Sequence, residues 1–566
     1  MVYLQCTILH LYEGGFQLYN TLIKIASAIV LVFAIILNFF GNLFGIGDII
    51  PTQPKTTEGT SVTQSVSYPE ETTTTEPTTA ESTTEGRTFQ PMTRPTSVTA
   101  PPGTGVITTT SRPTTTQETG PRLQEAVRQA TTSFGGSGTD SFTGAVASGD
   151  GGFIVCGVTS STDGSMKNVP SDKWSDSYGY VAKFDKDLNL VWIKSVGSEY
   201  GTVRVEDVAV LSDSSIVAVG YSSAKDYASD DEFIGSIDSF IIRYSADGKV
   251  ISKNLYGGSV SDMFMCVDSL GDGFVVGGKT DSVNGTFAGS QESKVSKAVV
   301  MCFDKQENIL WTRYLAGNYG ASIDGISTDK NGNVFVTSVT AASTGGFAEI
   351  DGMGSGYLDT AVIKYNSQGE YQWGFAVAGS GRENFAAVAA DGKGGCVVAG
   401  YYELVTTYMP DGTLADIHNC GGIDAVVIRI SPEGKKLWER SVAGFSDDFI
   451  SDVTVVENGG FAVVGYTSSG NRDFASIGNK GETDSFVALI TPAGNLADVQ
   501  GNSGARKDRS SCIVYGGNDK VYVLGQTTSS DGDFVGMNSH ISDTFIELFG
   551  DAFTGFATSY GVTING

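Results

Sequence analysis

The chain has 566 residues, with 63 acids against 36 bases, and 73 glycines but only 14 prolines and three histidines. A net charge of −27 excludes nucleic acid as a partner, because holding a phosphate backbone takes clustered Lys and Arg. Glycine at about 13%, near twice ordinary usage, beside 40% apolar residues, excludes a wholly disordered chain and points to many short strands joined by tight turns.

Residues 1–21 read as a short cytoplasmic segment. Between Lys24 and Asp48 lie 23 uncharged residues, beginning Ile25-Ala26-Ser27-Ala28-Ile29-Val30-Leu31-Val32-Phe33. As a helix rising about 1.5 Å per residue, this run spans roughly 35 Å, enough for a bilayer core. A cleaved signal peptide is the competing reading, but Asn38-Phe39-Phe40-Gly41-Asn42-Leu43-Phe44 offers no small-residue cleavage site. Residues 22–50 are therefore predicted to be a transmembrane helix acting as a signal anchor. Lys24 and Lys55 flank it, so the positive-inside bias is slight.

Residues 51–120 hold nine of the 14 prolines and 25 threonines, in runs such as Thr72-Thr73-Thr74-Thr75, with no apolar periodicity. Such a segment buries too little surface to offset its ordering entropy. It is predicted to be a disordered Thr/Pro-rich linker, either an O-glycosylated stalk or an unmodified one. A long spacer carries a domain away from a membrane, which sets the orientation: N-terminus inside, the remainder extracellular, one span in the cell membrane. The charge on residues 1–50 is −1 and on 51–120 is −3, leaving −23 on residues 121–566.

Those last 446 residues repeat one pattern seven times. In the sixth copy Phe449–Val455 is the first strand, Glu457-Asn458-Gly459-Gly460 the turn, Phe461–Thr467 the second strand and Asp484–Ile490 the third. A small residue near the end of each second strand sets the register: Gly157, Gly220, Gly278, Ser338, Gly400, Gly465 and Gly525. Asp238, Asp359, Asp424, Asp484 and Asp543 open the third strand in five copies, where they are expected to satisfy backbone N–H groups. Trp192, Trp311, Trp373 and Trp438 share one place in the fourth strand and are expected to pack between repeats. The turns before the fourth strand include Asp247-Gly248, Gln368-Gly369, Glu433-Gly434 and Ala493-Gly494, with glycine supplying positive φ.

A four-stranded repeat of about 61 residues is one blade of a propeller, so the predicted fold is all-β, a seven-bladed β-propeller. The β-branched second strands exclude a helical solenoid, and a β-sandwich would not need a sevenfold register. Two segments compete for the outer place in the last blade, Val127–Phe134 and Phe553–Tyr560. The first is preferred, since pairing first to last closes the ring, and a mobile C-terminal tail follows from that choice.

The repeat resembles the bacterial β-propeller repeat proteins often called SBBP repeats. The resemblance is carried by Gly135-Gly136-Ser137-Gly138-Thr139-Asp140-Ser141-Phe142, by Thr528-Ser529-Ser530-Asp531-Gly532-Asp533-Phe534, and by the third- and fourth-strand patterns. Tyr178 and Lys297 stand where the pattern has Asp. The resemblance implies an extracellular propeller and brings no catalytic set with it.

The long loops after each second strand share one face, and rigid scaffolds commonly present function there. Their acids include Asp230, Asp231, Asp351, Asp411 and Asp473, which are assigned to a ligand-binding face. Asp531 and Asp533 are the candidate calcium pair, since alternate acids present hard oxygen donors. Phe233, Phe287, Phe347, Phe474 and Phe534 are expected to anchor these loops. Cys156, Cys266, Cys302, Cys396 and Cys512 read as small buried hydrophobes. No Gly-x-Ser-x-Gly elbow or paired histidine motif appears, and no cofactor-binding pattern. The expected function is a non-enzymatic surface module binding an extracellular protein or glycan. The alternatives are a polysaccharide hydrolase working through paired loop carboxylates and a structural surface protein without a ligand.

Overall fold

A computed structural model describes residues 127–550, apart from 168–176, 198–200, 225–234, 291–293, 355–356, 380, 404–421, 458, 519 and 536–542. All belong to the second of two compact units, Ser111–Gly566. The expected anchor, stalk and C-terminal tail lie outside the described residues. Among the described residues no helix is long and apolar enough to cross a membrane.

The chain forms seven four-stranded antiparallel sheets. In six of them the strands follow sequence order from the inner strand outwards, as in the sixth blade: Asp448–Val455, Phe461–Thr467, Asp484–Ile490 and Leu496–Asn502. The seventh combines Asp508–Gly517, Lys520–Thr527 and Asp543–Gly550 with the N-terminal strand Val127–Phe134 on its outside. Thr131 pairs with Glu547 and Phe134 with Thr544, so the first strand closes the ring, as preferred from sequence. Arg128 fastens this closure, donating to Asn502 Oδ1 at 2.5 Å, Glu547 Oε1 at 3.2 Å and Asp533 Oδ1 at 3.1 Å.

Period-two alternation explains why the second strands read as apolar runs. Phe461 and Val463 pack with Val397, Ala399 and Val427 of the fifth blade. Their neighbours Ala462 and Val464 pack with Ile513, Val521 and Val523 of the seventh. A strand sandwiched on both faces has no solvent side to mark with polar residues. The outer strands keep one: in Leu190–Val196 the first two residues are exposed and only Val196 is buried.

The glycine register has a steric cause. The inner strands of six blades carry a register shift, for example between Ile450 and Asp452 opposite Gly465 and Val464. The shift drives a backbone carbonyl into the space where the facing residue would carry Cβ. A Cβ on Gly465 would lie 1.9 Å from Phe449 O, and those on Gly157, Gly220, Gly278, Gly400 and Gly525 would lie 1.9–2.3 Å from the matching carbonyls. The exception fits. The fourth blade has Ser338 in this place, and its inner strand is only Gly325–Thr328, with no register shift.

The tryptophans pack between blades as expected. Each indole N–H donates to a carbonyl in the outer turn of the next blade: Trp192 to Ala246, Trp311 to Ser367, Trp373 to Pro432 and Trp438 to Pro492, at 2.8–3.3 Å. The ring then lies against the turn glycine. A Cβ on Gly248, Gly369, Gly434 or Gly494 would come within 2.6–2.9 Å of it. The second blade has Ser252 in the tryptophan position, and there the third-blade turn uses Glu307 at φ 66° instead of glycine, bonded by Ser252 and Asn254. Tryptophan and turn glycine thus form one cross-blade unit. Gly434→Ala is expected to cost about 2 kcal/mol from positive φ and ring contact together. In a urea-denaturation double-mutant cycle with Trp373→Ala, a coupling of about 1 kcal/mol should appear; additive losses would show that the ring contact is not what selects glycine.

Candidate functional site

The loops that leave the second strands are built on a common base, seen most fully in the first, third, sixth and seventh blades. A threonine ends the strand: Thr159, Thr280, Thr467 and Thr527. Its hydroxyl donates to the aspartate that opens the inner strand of the same blade, respectively Asp140, Asp262, Asp448 and Asp508. Two residues on, Ser161, Ser282, Ser469 and Ser529 donate to the other oxygen of that carboxylate. The same oxygen accepts the N–H of a glycine four residues earlier, Gly136, Gly258, Gly444 or Gly504, at 2.7–2.9 Å. All four aspartates are buried, and each is held by three donors from different parts of the chain.

The loop then tightens. Asp163, Asn284, Asn471 and Asp531 accept N–H groups from Ser137, Ser259, Phe445 and Ala505 in the link from the preceding blade, at 2.6–2.9 Å. A residue with φ between 52° and 64° follows, glycine in each case except Arg472. A one-turn 3-10 helix comes next and plants Met166, Phe287, Phe347, Phe474 or Phe534 in the interior, each at 0% exposure. The expected aromatic anchors are therefore in place at four positions, with Met166 serving in the first blade. Phe233 lies outside the described residues.

Most of the acids assigned to the ligand face have other occupations or lie outside the described residues. Asp473 accepts two bonds from the Arg440 guanidinium at 3.3 Å and one from Ala443 N–H at 3.2 Å. Asp533 repeats this arrangement with Ser503 N–H at 3.0 Å and Arg128 at 3.1 Å. Burial works against its ionisation, but the Ser503 N–H and Arg128 outweigh that and hold Asp533 below the usual carboxylate range. The proposed calcium donors Asp531 and Asp533 thus already accept backbone N–H groups and a guanidinium. Among the described residues no group of three His, Cys, Asp or Glu side chains is arranged to hold a metal. Asp351 is exposed. Asp230, Asp231 and Asp411 lie outside the described residues.

The third-strand aspartates behave as expected where their bonds are seen. Asp359 accepts from Gly354 N–H at 2.6 Å, Asp484 from Lys480 N–H at 3.0 Å and Asp238 from Gly235 N–H at 3.4 Å. Asp424 is buried at 1% exposure. Asp543 pairs with Thr527 across the sheet. The five described-residue cysteines are buried free thiols.

A second constellation was not foreseen. A cavity of about 280 Å³ is lined by inner-strand residues of all seven blades, including Asp207, Asp268, Asp324 and Asp452. Three of these staple neighbouring blades: Asp207 accepts Val208 and Val267 N–H, Asp268 accepts Ser269 and Thr328 N–H, and Asp452 accepts Val453 and Ile513 N–H, all at 2.7–2.9 Å. Burial pushes Asp207 up to about 8, Asp452 to about 7 and Asp268 to about 6, against the pull of those N–H groups.

No family model matches the chain, and no curated protein sequence matches it. The bacterial repeat resemblance therefore rests on its motif residues alone. Solved propellers are similar in fold. The WD40 β-propeller domain of Doa1 is 11% identical over 75% of this chain and 97% of its own, with a TM-score of 0.39. The β-propeller domain of the Trilobed protease from Pyrococcus furiosus, described as having an open velcro topology, is 9% identical over 73% and 94%, with a TM-score of 0.36. The PQQ-bound aldose sugar dehydrogenase from Streptomyces coelicolor is 13% identical over 62% and 98%, with a TM-score of 0.30. At these identities and TM-scores the likeness carries nothing beyond fold; the seven four-stranded blades are read from this chain's own strand pairing.

Proposed function

We propose that the chain is a membrane-anchored, extracellular propeller whose loop face binds a protein or a glycan. One observation carries this reading. In the first, third, sixth and seventh blades the loop bases repeat closely, with a buried aspartate, a bonded link and a planted Phe or Met, whereas the sequences beyond them diverge from blade to blade. A rigid base under variable tips is how scaffolds present recognition surfaces. Asp230, Asp231, Asp351 and Asp411 in those loops favour a cationic partner, or one bridged by calcium. The hydrolase alternative needs paired loop carboxylates free to approach a sugar, whereas the loop acids Asp473 and Asp533 are each engaged by a backbone N–H and a guanidinium.

The test is a glycan-array and cell-surface protein screen with the full-length chain, in calcium and in chelator. Asp230→Asn with Asp231→Asn is expected to weaken the captured ligand about tenfold with the melting temperature unchanged. Capture of no ligand in either condition would overturn the proposal, and turnover of a polysaccharide would replace it with the hydrolase.

A further inference from the structure

Acids recur in pairs across the junctions between blades. The aspartate at the start of a third strand is followed 24 residues later by an acid at the start of the next inner strand, as first or second residue: Asp238 and Asp262, Asp359 and Glu383, Asp424 and Asp448, Asp484 and Asp508. The two acids of the later three pairs interact with each other. Just ahead of three pairs, Ile237 bridges Ser261, Leu358 bridges Arg382 and Thr483 bridges Lys507 in parallel. The N–H groups of Asp262, Glu383 and Asp508 donate to the carbonyls of Ile237, Leu358 and Thr483, each at 2.9 Å. At the fourth junction Asp447 Oδ1 accepts Ile423 N–H at 3.0 Å. All eight side chains are at most 1% exposed. Two carboxylates confined in one buried place cannot both ionise without mutual repulsion and loss of hydration.

We propose that the pairs Asp359/Glu383, Asp424/Asp448 and Asp484/Asp508 make the junctions between the fourth and seventh blades a proton-operated latch, shut while each pair retains a proton and loosened when both members ionise. Asp238/Asp262 is left out because Lys297 sits close enough to Asp262 for mutual attraction.

Asp448 and Asp508 keep their three loop-base donors, and among the described residues the following titratable groups face the pairs. Glu383 meets Asp359, with the buried Tyr402 beside it. Asp424 meets Asp447 and Asp448. Asp484 meets Asp508, Asp533 and Lys480, and the Lys480 Nζ is drawn to Asp533 at 3.9 Å. Asp508 also faces Asp531. Burial first, and the partner acid next, lift Glu383 to about 8. Burial lifts Asp424, Asp448 and Asp484 to about 6 and raises Asp508.

A carboxyl raised on folding binds its proton more tightly in the native state. It therefore contributes stability below its unfolded value, near pH 4, and that contribution is lost as pH rises through about 6 to 8. This is the reverse of the usual acid unfolding. The general charge of −27 pushes in the same direction, so the experiment must separate the two.

The full-length chain is melted between about pH 5 and pH 8.5 in about 0.5 M NaCl, where exposed charges are largely screened. The melting temperature is expected to fall by at least about 5 °C across that range. Glu383→Gln with Asp484→Asn should shrink the fall by about a quarter, because Asp424, Asp448 and the cavity acids Asp207, Asp268 and Asp452 go on titrating, while the exposed-site control Asp187→Asn keeps the whole fall. Should the double variant fail to fold, hydrogen exchange on the wild-type chain serves instead. Protection factors of the Glu383 and Asp508 amides should drop with pH relative to that of Val217 in the second blade. A flat or rising melting temperature, a double variant with the wild-type slope, or uniform protection across blades would overturn the latch.

Discussion

Gly465→Ala is expected to destabilise the propeller by about 3–5 kcal/mol, among the largest losses any single methyl can cause here. The added Cβ would lie 1.9 Å from Phe449 O and 2.9 Å from Ile450 Cα. These are backbone atoms, so no side-chain rotation relieves the contact. The inner strand would have to surrender its bulge, and with it the placing of Asp452, whose second oxygen accepts Ile513 N–H from the seventh blade. Ser338→Ala, in the one blade whose inner strand carries no bulge, should cost less than about 1 kcal/mol. Chemical denaturation of both variants decides the matter. Equal losses would show that the register glycines answer to something other than the inner-strand carbonyl. A ring of blades can lose cooperativity, so two optical probes should be compared before a single free energy is assigned.

The second large effect is at the loop base. Asp448→Ala removes the acceptor of Thr467 Oγ1, Ser469 Oγ and Gly444 N–H at once. All lie in a buried setting where an orphaned donor costs about 1–3 kcal/mol. A loss of about 3–4 kcal/mol is expected. Asp448→Asn keeps the shape but substitutes an amide for one oxygen, and should lose about half as much. Because the carboxyl stands near 6 in the folded chain, the Asn variant should lose least, relative to wild type, at the alkaline end. Thermal melts of both variants at two pH values would show this. A harmless Asp448→Ala would mean that the three donors find water or other acceptors.

Much of this architecture was legible in the sequence because it is local and repeated. The 58-to-65-residue register of Gly157 through Gly525 is the shadow of one steric event copied around a ring. The tryptophan and turn-glycine columns are the two halves of one contact, visible separately in the sequence and joined only in space. The closing strand could be named because Val127–Phe134 leads into Gly135-Gly136 as other outer strands lead into their links. The inner-strand aspartates Asp140, Asp262, Asp448 and Asp508 were passed over, although each stands four residues after a glycine and opens a blade. Their column was visible, but their meaning depends on a Thr-x-Ser about 20 residues later, and no local period links the two. The cavity acids leave less trace. Asp207, Asp268 and Asp452 act on backbone N–H groups about 60 residues away, and a backbone donor leaves no mark in a sequence. The acidic loops misled in the opposite sense: Asp473 and Asp533 look like open oxygen donors until Arg440 and Arg128 arrive from other strands.

The manner of ring closure has a mechanical consequence if the chain is tethered as proposed. Tension arriving from the membrane side reaches the described fold at Val127, so it falls first on a strand that, among the described residues, has a single neighbour, Asp543–Gly550. The far end of that strand is set elsewhere. Phe134 stacks on Phe142 and packs edge-on to Phe184 of the first blade. A sufficient tug would therefore peel the clasp from the last blade while leaving it rooted in the first. Six blades would stay whole and one would be left with three strands, as a broken necklace keeps its beads. Because the freed strand remains fixed beside its old berth, the rupture would heal when the load is removed.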